Sequence, residues 1–122
     1  MITLLLLLGV LQFKHWYIDF VNQTMDEVNH KGIYGDWTGM KHSVKHGIAT
    51  WLIMPLFFGI EVGLGFGFIL GFLDFILHYH IDWAKMKWGN RDIQTPAFWS
   101  HLGLDQMAHQ LVYLALIGII IL

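Results

Sequence analysis

Long apolar segments separated by short polar ones limit how this chain can fold more than any other feature. One begins at Ile2, one lies on each side of Gly59, and one ends at Leu122. A bilayer core about 30 Å thick is spanned by roughly 20 mostly apolar helical residues. The 122 residues are 56% apolar and 13% charged, with a mean hydropathy of +0.53. This composition is typical of membrane proteins rather than soluble ones.

We predict one domain, residues 1–122, with four transmembrane helices. They extend over about residues 2–23, 42–58, 59–88 and 101–122. The polar segments 24–40 and 89–99 are predicted surface loops, and Ser100 is the predicted N-cap of the last helix. Because such short connections make consecutive helices antiparallel, the expected fold class is all-α, an integral membrane up-down four-helix bundle.

The positive charges predict the orientation of this bundle. All of them lie at or near the end that carries both loops: Lys14, Lys31, Lys41, Lys45, Lys85, Lys87 and Arg91. By the positive-inside rule this end is cytoplasmic and both termini lie outside. The net charge of −2 argues against a nucleic acid partner, and the absence of cysteine leaves only nitrogen and oxygen ligands for any metal.

Each predicted helix carries two metal-competent side chains four residues apart, a spacing that places both on one helical face. The pairs are His15 and Asp19, His42 and His46, His78 and Asp82, and Asp105 and His109. With neutral histidines the three aspartates give a charge of about −3, which is costly inside a membrane unless it is compensated. We therefore predict a site for one or two divalent ions of zinc, manganese or iron.

Other polar side chains receive smaller roles. Three are the candidate catalytic residues: Asp82, His78 and Asp105. Three are expected to orient the ligands: Gln23, Gln106 and Lys85. Three histidines are expected only to bind carbonyls or headgroups: His30, His80 and His101. Lys14, Lys45 and Lys85 are expected to extend to the surface, whereas Asp74 and Glu61 are expected to be satisfied polar residues rather than ligands.

Glycine recurs every four residues along one face of the third predicted helix, at Gly59, Gly63, Gly67 and Gly71. Small residues at this spacing let a second helix approach closely in lipid. The partner is either another helix of the same chain, which we favour slightly, or a second copy in a homo-oligomer.

Four motifs in this order resemble a known family. They are H-x-x-x-D-F-x-x-Q (His15, Asp19, Phe20, Gln23), histidine–glycine (His46, Gly47), H-x-x-x-D-x-x-K (His78, Asp82, Lys85) and D-Q-x-x-H (Asp105, Gln106, His109). Together they resemble the bacterial and phage membrane proteins grouped as domain of unknown function 3307. The resemblance implies a multi-pass protein of the bacterial inner membrane with its site at these residues, but it implies no reaction. A looser likeness is to the membrane-bound metal-dependent hydrolases.

Four functions follow from these patterns. The first is a metal-dependent hydrolase that acts on a lipid or phospho-lipid at the cytoplasmic leaflet. The second is a proton or cation relay or transport protein, although the polar residues cluster toward one side. The third is a haem-binding bundle, against which the accompanying aspartates argue. The fourth is a structural membrane oligomer without catalysis.

Overall fold

The computed structural model describes residues 1–122 and is entirely helical, which confirms the all-α class. The elements in chain order are α1 (Ile2–Trp16), a π-helical turn (Tyr17–Val21), α2 (Met25–His30), α3 (Trp37–Phe58), α4 (Ile60–Trp88) and α5 (Pro96–Ile121). Three segments are long and apolar enough to cross a membrane: Ile2–Val21, Ile60–Trp88 and Pro96–Ile121. These three segments support a membrane protein.

Polar side chains lie inside this protein and apolar ones outside. Of the buried residues, 14 are polar or charged and 8 are hydrophobic. Large apolar side chains such as Leu56, Phe72 and Leu111 are exposed. In water this distribution would be unfavourable, but hydrocarbon solvates apolar side chains and leaves the polar ones to pair inside.

Helix α3 begins at Trp37, not at about residue 42 as predicted. Its N-cap is Asp36, whose Oδ1 accepts a hydrogen bond from the Gly39 N–H at 3.1 Å. At 22 residues it is about 33 Å long. Its first half is polar, which separates it from the three segments that are apolar enough to span.

Helix α2 lies within the segment 24–40 that was predicted to be a loop, so that prediction is wrong in part. The Thr24 hydroxyl accepts from the Glu27 N–H at 3.2 Å, and the Thr24 N–H donates to the Glu27 carboxylate at 3.0 Å. This capping box satisfies two backbone donors of the first turn and explains why the helix starts there.

The first and last long helices also differ from their predicted bounds. Helix α5 begins at Pro96, and Thr95 rather than Ser100 is its N-cap, accepting from the Phe98 N–H at 3.3 Å. Proline suits the first helical position because its missing N–H has no helical partner there. The first helical segment ends at Val21 through the π-helical turn, which carries Asp19. Single π-helical turns occur often at functional sites.

Helices α3 and α4 pack closely through the predicted glycine face. A Cβ at Gly63 would lie 2.4 Å from the Pro55 Cα, and one at Gly71 would lie 2.5 Å from the Gly47 carbonyl oxygen. Contacts that pair later α4 residues with earlier α3 residues show that the two helices run antiparallel. The glycines thus pack within the chain, as the slightly favoured alternative predicts. Gly59 instead forms the turn between the helices, with φ +78°.

Apolar side chains form a buried cluster at the end of the bundle away from α2. Its members are Leu7, Leu11, Met54, Leu70, Tyr113 and Leu116. On every long helix this apolar cluster lies on the far side of the His and Asp pairs from α2. The buried interior is therefore divided into a polar half near α2 and an apolar half.

Candidate metal centre

The interior of the bundle brings together all eight predicted metal ligands. They form three overlapping sets whose donor atoms lie within 4.8 Å of one another: Asp19, His42, His46 and His78; His15, His78 and His109; Asp82, Asp105 and His109. All eight residues are buried. The i, i+4 spacing thus predicted correctly which side chains share one region.

In the first set, three imidazoles surround one carboxylate oxygen. Asp19 Oδ1 lies 2.9 Å from the Nε2 atoms of both His42 and His46 and 3.6 Å from that of His78. The Nε2 atoms of His42 and His78 are 3.2 Å apart. Ligands at 2.0–2.1 Å from a tetrahedral zinc ion are separated by about 3.3 Å. The spacing of these donors therefore fits a tetrahedral ion.

The other ring nitrogens of these three histidines lack partners. The Nδ1 atoms of His42, His46 and His78 are buried without a hydrogen bond. Metal-bound histidines usually donate this second N–H to an oxygen. Here the rings are held by packing instead, since His78 stacks on His46 with centroids 3.6 Å apart and on His109 at 4.0 Å.

Asp82 lies between the first and the third set. Its Oδ1 is 3.3 Å from His109 Nε2, and its Oδ2 is 3.3 Å from His78 Nε2. His109 Nε2 also lies 3.6 Å from Asp105 Oδ1. Neither His109 Nε2 nor Asp105 Oδ1 has a hydrogen-bond partner, although both are buried. The arrangement can pass a proton between two carboxylates through one imidazole.

Two lysines reduce the negative charge that the sequence predicted for the cluster. Lys31, at the C-terminal end of α2, has its Nζ 2.8 Å from Asp82 Oδ2, and Lys85 Nζ lies 3.4 Å from Asp105 Oδ2. With neutral histidines the charge is about −1, so the prediction of about −3 is wrong. Asp19 alone among the three aspartates has no lysine partner.

Lys31 was not predicted to join the site, because it lies in the segment 24–40 that was interpreted as a loop. Its ammonium also donates to the Gln23 side-chain oxygen. Gln23 in turn donates to the backbone oxygen of Asp19 at 2.9 Å. Gln23 therefore acts on the position of Asp19 through the main chain and does not contact a ligand atom.

Lys14 does not extend to the surface as predicted, but is buried beside the cluster. Its Nζ lies 2.6 Å from Asp74 Oδ2, 2.9 Å from Thr50 Oγ1 and 3.4 Å from the carbonyl oxygen of His46. Asp74 also accepts from the Thr50 hydroxyl. Asp74 is thus a satisfied polar residue, as predicted, and the pair stabilises the layer between the site and the apolar cluster.

His15 is held by protein groups on both ring nitrogens. Its Nδ1 lies 3.1 Å from the Tyr113 hydroxyl, and its Nε2 lies 3.0 Å from Gln106 Oε1 and 3.2 Å from Asp19 Oδ2. Gln106 Nε2 also donates to Asp105 Oδ2 at 3.1 Å. The predicted role of Gln106 in orienting site residues is confirmed. Tyr113 was missed, although it follows His109 at the same four-residue spacing.

The remaining three histidines make the contacts expected of non-ligands. His30 Nδ1 lies 2.8 Å from the Asp26 carbonyl oxygen and His80 Nδ1 2.7 Å from that of Ile76. His101 Nδ1 accepts from the Asn90 N–H at 2.8 Å. None of the three belongs to the sets of donors described above.

Glu27 attaches α2 to α3 next to the site. Its carboxylate lies 2.9 Å from Lys45 Nζ, and Lys45 also binds Asn22 Oδ1 at 3.0 Å. Burial by itself raises the pKa of Glu27, but the hydrogen bonds from the Thr24 backbone and from Lys45 outweigh burial and lower the pKa below its usual value. Glu27 is thus ionised at neutral pH and holds α2 in place beside Lys31.

Fold and site together define a class: an all-helical protein with membrane-spanning helices and a buried cluster of histidines and aspartates. Comparisons with family models, curated proteins and solved structures found no match to this chain. The resemblance to domain of unknown function 3307 stays a prediction.

Proposed function

We propose that this protein is a metal-dependent hydrolase embedded in the bacterial inner membrane, acting on a lipid or phospho-lipid at the cytoplasmic leaflet. One divalent ion, zinc, manganese or iron, is held by Asp19, His42, His46 and His78. The observation that carries the proposal is the convergence of three imidazole Nε2 atoms on Asp19 Oδ1. Imidazole and carboxylate are suitable ligands for these metals.

One ion rather than two follows from the charges. Lys31 and Lys85 already compensate Asp82 and Asp105. A second ion in that set would stand close to two ammonium groups, which opposes its binding. Asp19 has only imidazoles around it and therefore offers the one carboxylate whose charge a cation would neutralise.

We further infer that α3 is a fourth membrane-spanning helix, which makes the protein an up-down four-helix bundle. The close antiparallel packing of α3 on α4 supports this, because α3 then shares the depth of an apolar spanning helix. The polar residues in the first half of α3 face the site: His42 and His46 are fully buried. With the positive-inside rule, the site lies toward the cytoplasm and both termini lie outside.

In the proposed reaction each side chain has a distinct task. A bound ion lowers the pKa of water and polarises a phosphoryl or carbonyl oxygen. Asp82 and His109 take up and return the proton, since Asp82 Oδ1 and His109 Nε2 are 3.3 Å apart. Lys31 stabilises negative charge that develops on the substrate. His78, one of the candidate catalytic residues, is assigned instead to the ion.

Elemental analysis of detergent-purified protein by mass spectrometry tests the ion site. We expect close to one ion per chain in the wild type and loss of most of it in the double variant Asp19→Asn/His46→Gln. His80→Gln is the matched control, because His80 binds only a carbonyl oxygen and the Tyr34 hydroxyl. A folded wild type that takes up none of the three metals would overturn the hydrolase and favour a proton relay or a structural oligomer.

Release of fatty acid or phosphate from lipid vesicles tests the reaction separately. Asp82→Asn should keep the ion and lower the rate by about 10²–10⁴-fold, the usual contribution of general acid–base catalysis. An Asp82→Asn variant with both its ion and its full rate would show that Asp82 does not move the proton.

A further inference from the structure

A cleft of about 390 Å³ opens between α4 and α5 next to the His and Asp cluster. Asp105, a member of the third donor set, lies in its wall. The cleft is therefore continuous with the cluster on one side, while its other side opens between two membrane-spanning helices. No role in the hydrolase chemistry accounts for it.

The polar part of the cleft offers hydrogen-bond donors. Lys85 lines it, and its side chain is 27% exposed, so the ammonium is accessible although it lies 3.4 Å from Asp105 Oδ2. Because an ammonium carries three N–H donors, Lys85 can keep Asp105 and bind a second oxygen. His101 accepts the Asn90 N–H on Nδ1. As a neutral ring it therefore carries its proton on Nε2 and is a donor there.

The remaining wall of the cleft is apolar. Ile81 and Ala108 line it within the spanning helices, and Leu104 is 57% exposed beside it. Trp88 stands at the end of α4, where an aromatic ring suits the membrane–water interface. A ligand that fills the whole cleft must thus combine an anionic group with an apolar body.

We propose that this cleft binds the phosphomonoester headgroup of an anionic lipid. Lys85 and His101 donate to the phosphate oxygens, and the glycerol and upper acyl segments lie against Ile81 and Leu104. A lipid rather than free phosphate is the occupant because the apolar wall faces the bilayer. That this lipid is also the substrate rests on the proposed hydrolase, but its binding does not require turnover.

Native mass spectrometry of detergent-purified protein tests the binding. The protein is stripped of metal with chelator and offered equimolar phosphatidic acid and phosphatidylcholine with identical acyl chains. We expect phosphatidic acid to be retained preferentially. Lys85→Met should reduce its retention about tenfold, as the loss of one charge-assisted hydrogen bond predicts. Lys87→Met is the matched control, since Lys87 is an exposed lysine of α4 that does not line the cleft.

A second variant guards against misfolding of Lys85→Met, which leaves Asp105 without its cation. His101→Phe removes a donor without touching Asp105 and should also lower retention. Equal retention of both lipids by the wild type would overturn the proposal, as would equal losses in Lys85→Met and Lys87→Met. If millimolar inorganic phosphate binds through Lys85 but phosphatidic acid shows no preference, the ligand is free phosphate and the lipid proposal is wrong.

The result is distinguishable from failure of the hydrolase. Asp19→Asn should abolish metal uptake and leave the lipid preference intact, because Asp19 does not line the cleft. A protein without metal that still prefers phosphatidic acid retains the cleft and loses the reaction. A protein with metal and no lipid preference retains the ion site and loses the cleft.

Discussion

Replacing Lys14 with methionine should destabilise the protein strongly, because Lys14 is the only cation beside the buried carboxylate of Asp74. The pair is 2.6 Å apart, with side chains 5% and 1% exposed. Breaking a buried ion pair by removing one partner costs about 3–5 kcal/mol, since the other charge is left uncompensated. Replacing both partners, as in Lys14→Met/Asp74→Leu, removes the uncompensated charge and leaves mainly the lost hydrogen bond of Thr50, about 1 kcal/mol.

The free energies of unfolding of the two single variants, the double variant and the wild type form a double-mutant cycle. They are measured by titrating the protein in mixed micelles with dodecyl sulfate and following far-UV circular dichroism. We expect a coupling of about 2 kcal/mol or more between the two sites. Lys87→Met is the exposed control. If Lys14→Met costs no more than this control, or if Asp74→Leu fails to recover stability, Lys14 and Asp74 do not form a buried pair.

Three further perturbations follow from the packing and charge of the bundle. Gly71→Ala should cost about 1–3 kcal/mol of unfolding free energy by overpacking, whereas Gly65→Ala, with open space at its Cβ, should be neutral or stabilising; equal effects would contradict the close α3–α4 contact. Glu27→Gln should lower the melting temperature at pH 7 and not at pH 3, because a carboxylate with a lowered folded-state pKa stabilises only above its unfolded pKa and loses this as pH falls through the folded value. Tyr113→Phe should reduce metal affinity several-fold by freeing His15, without loss of helicity; unchanged affinity would remove Tyr113 from the site.

The sequence predicted the helices and the pairing of site residues because both depend on periodicity. Apolar segments of about 20 residues indicate spanning helices. Side chains at i and i+4 share a face, so His78 and Asp82 were expected to act together, and their side chains are 3.3 Å apart. These are local properties of one helix.

The cations of the site were not predictable in the same way. Lys31 reaches Asp82 across 51 positions of the chain, and Lys14 reaches Asp74 across 60. Such pairs depend on how helices rotate against each other, which a single sequence does not reveal. The lysines look like surface residues because lysine usually is one. The T-x-x-E capping box that starts α2 was visible in the sequence, and reading it would have turned a predicted loop into a helix.

The depth of the polar network bears on the alternative of transport. The network begins at Lys31 and Glu27, passes through the His and Asp cluster, and ends with Lys14, Thr50 and Asp74. Beyond this layer the buried side chains are the six of the apolar cluster. A proton or cation crossing the membrane needs polar groups or water along the whole path. Glu61, at the far end of α4, is exposed rather than aligned with the network. The buried polar groups thus open toward one side of the bundle, as a hydrolase at one leaflet requires and a transmembrane relay does not.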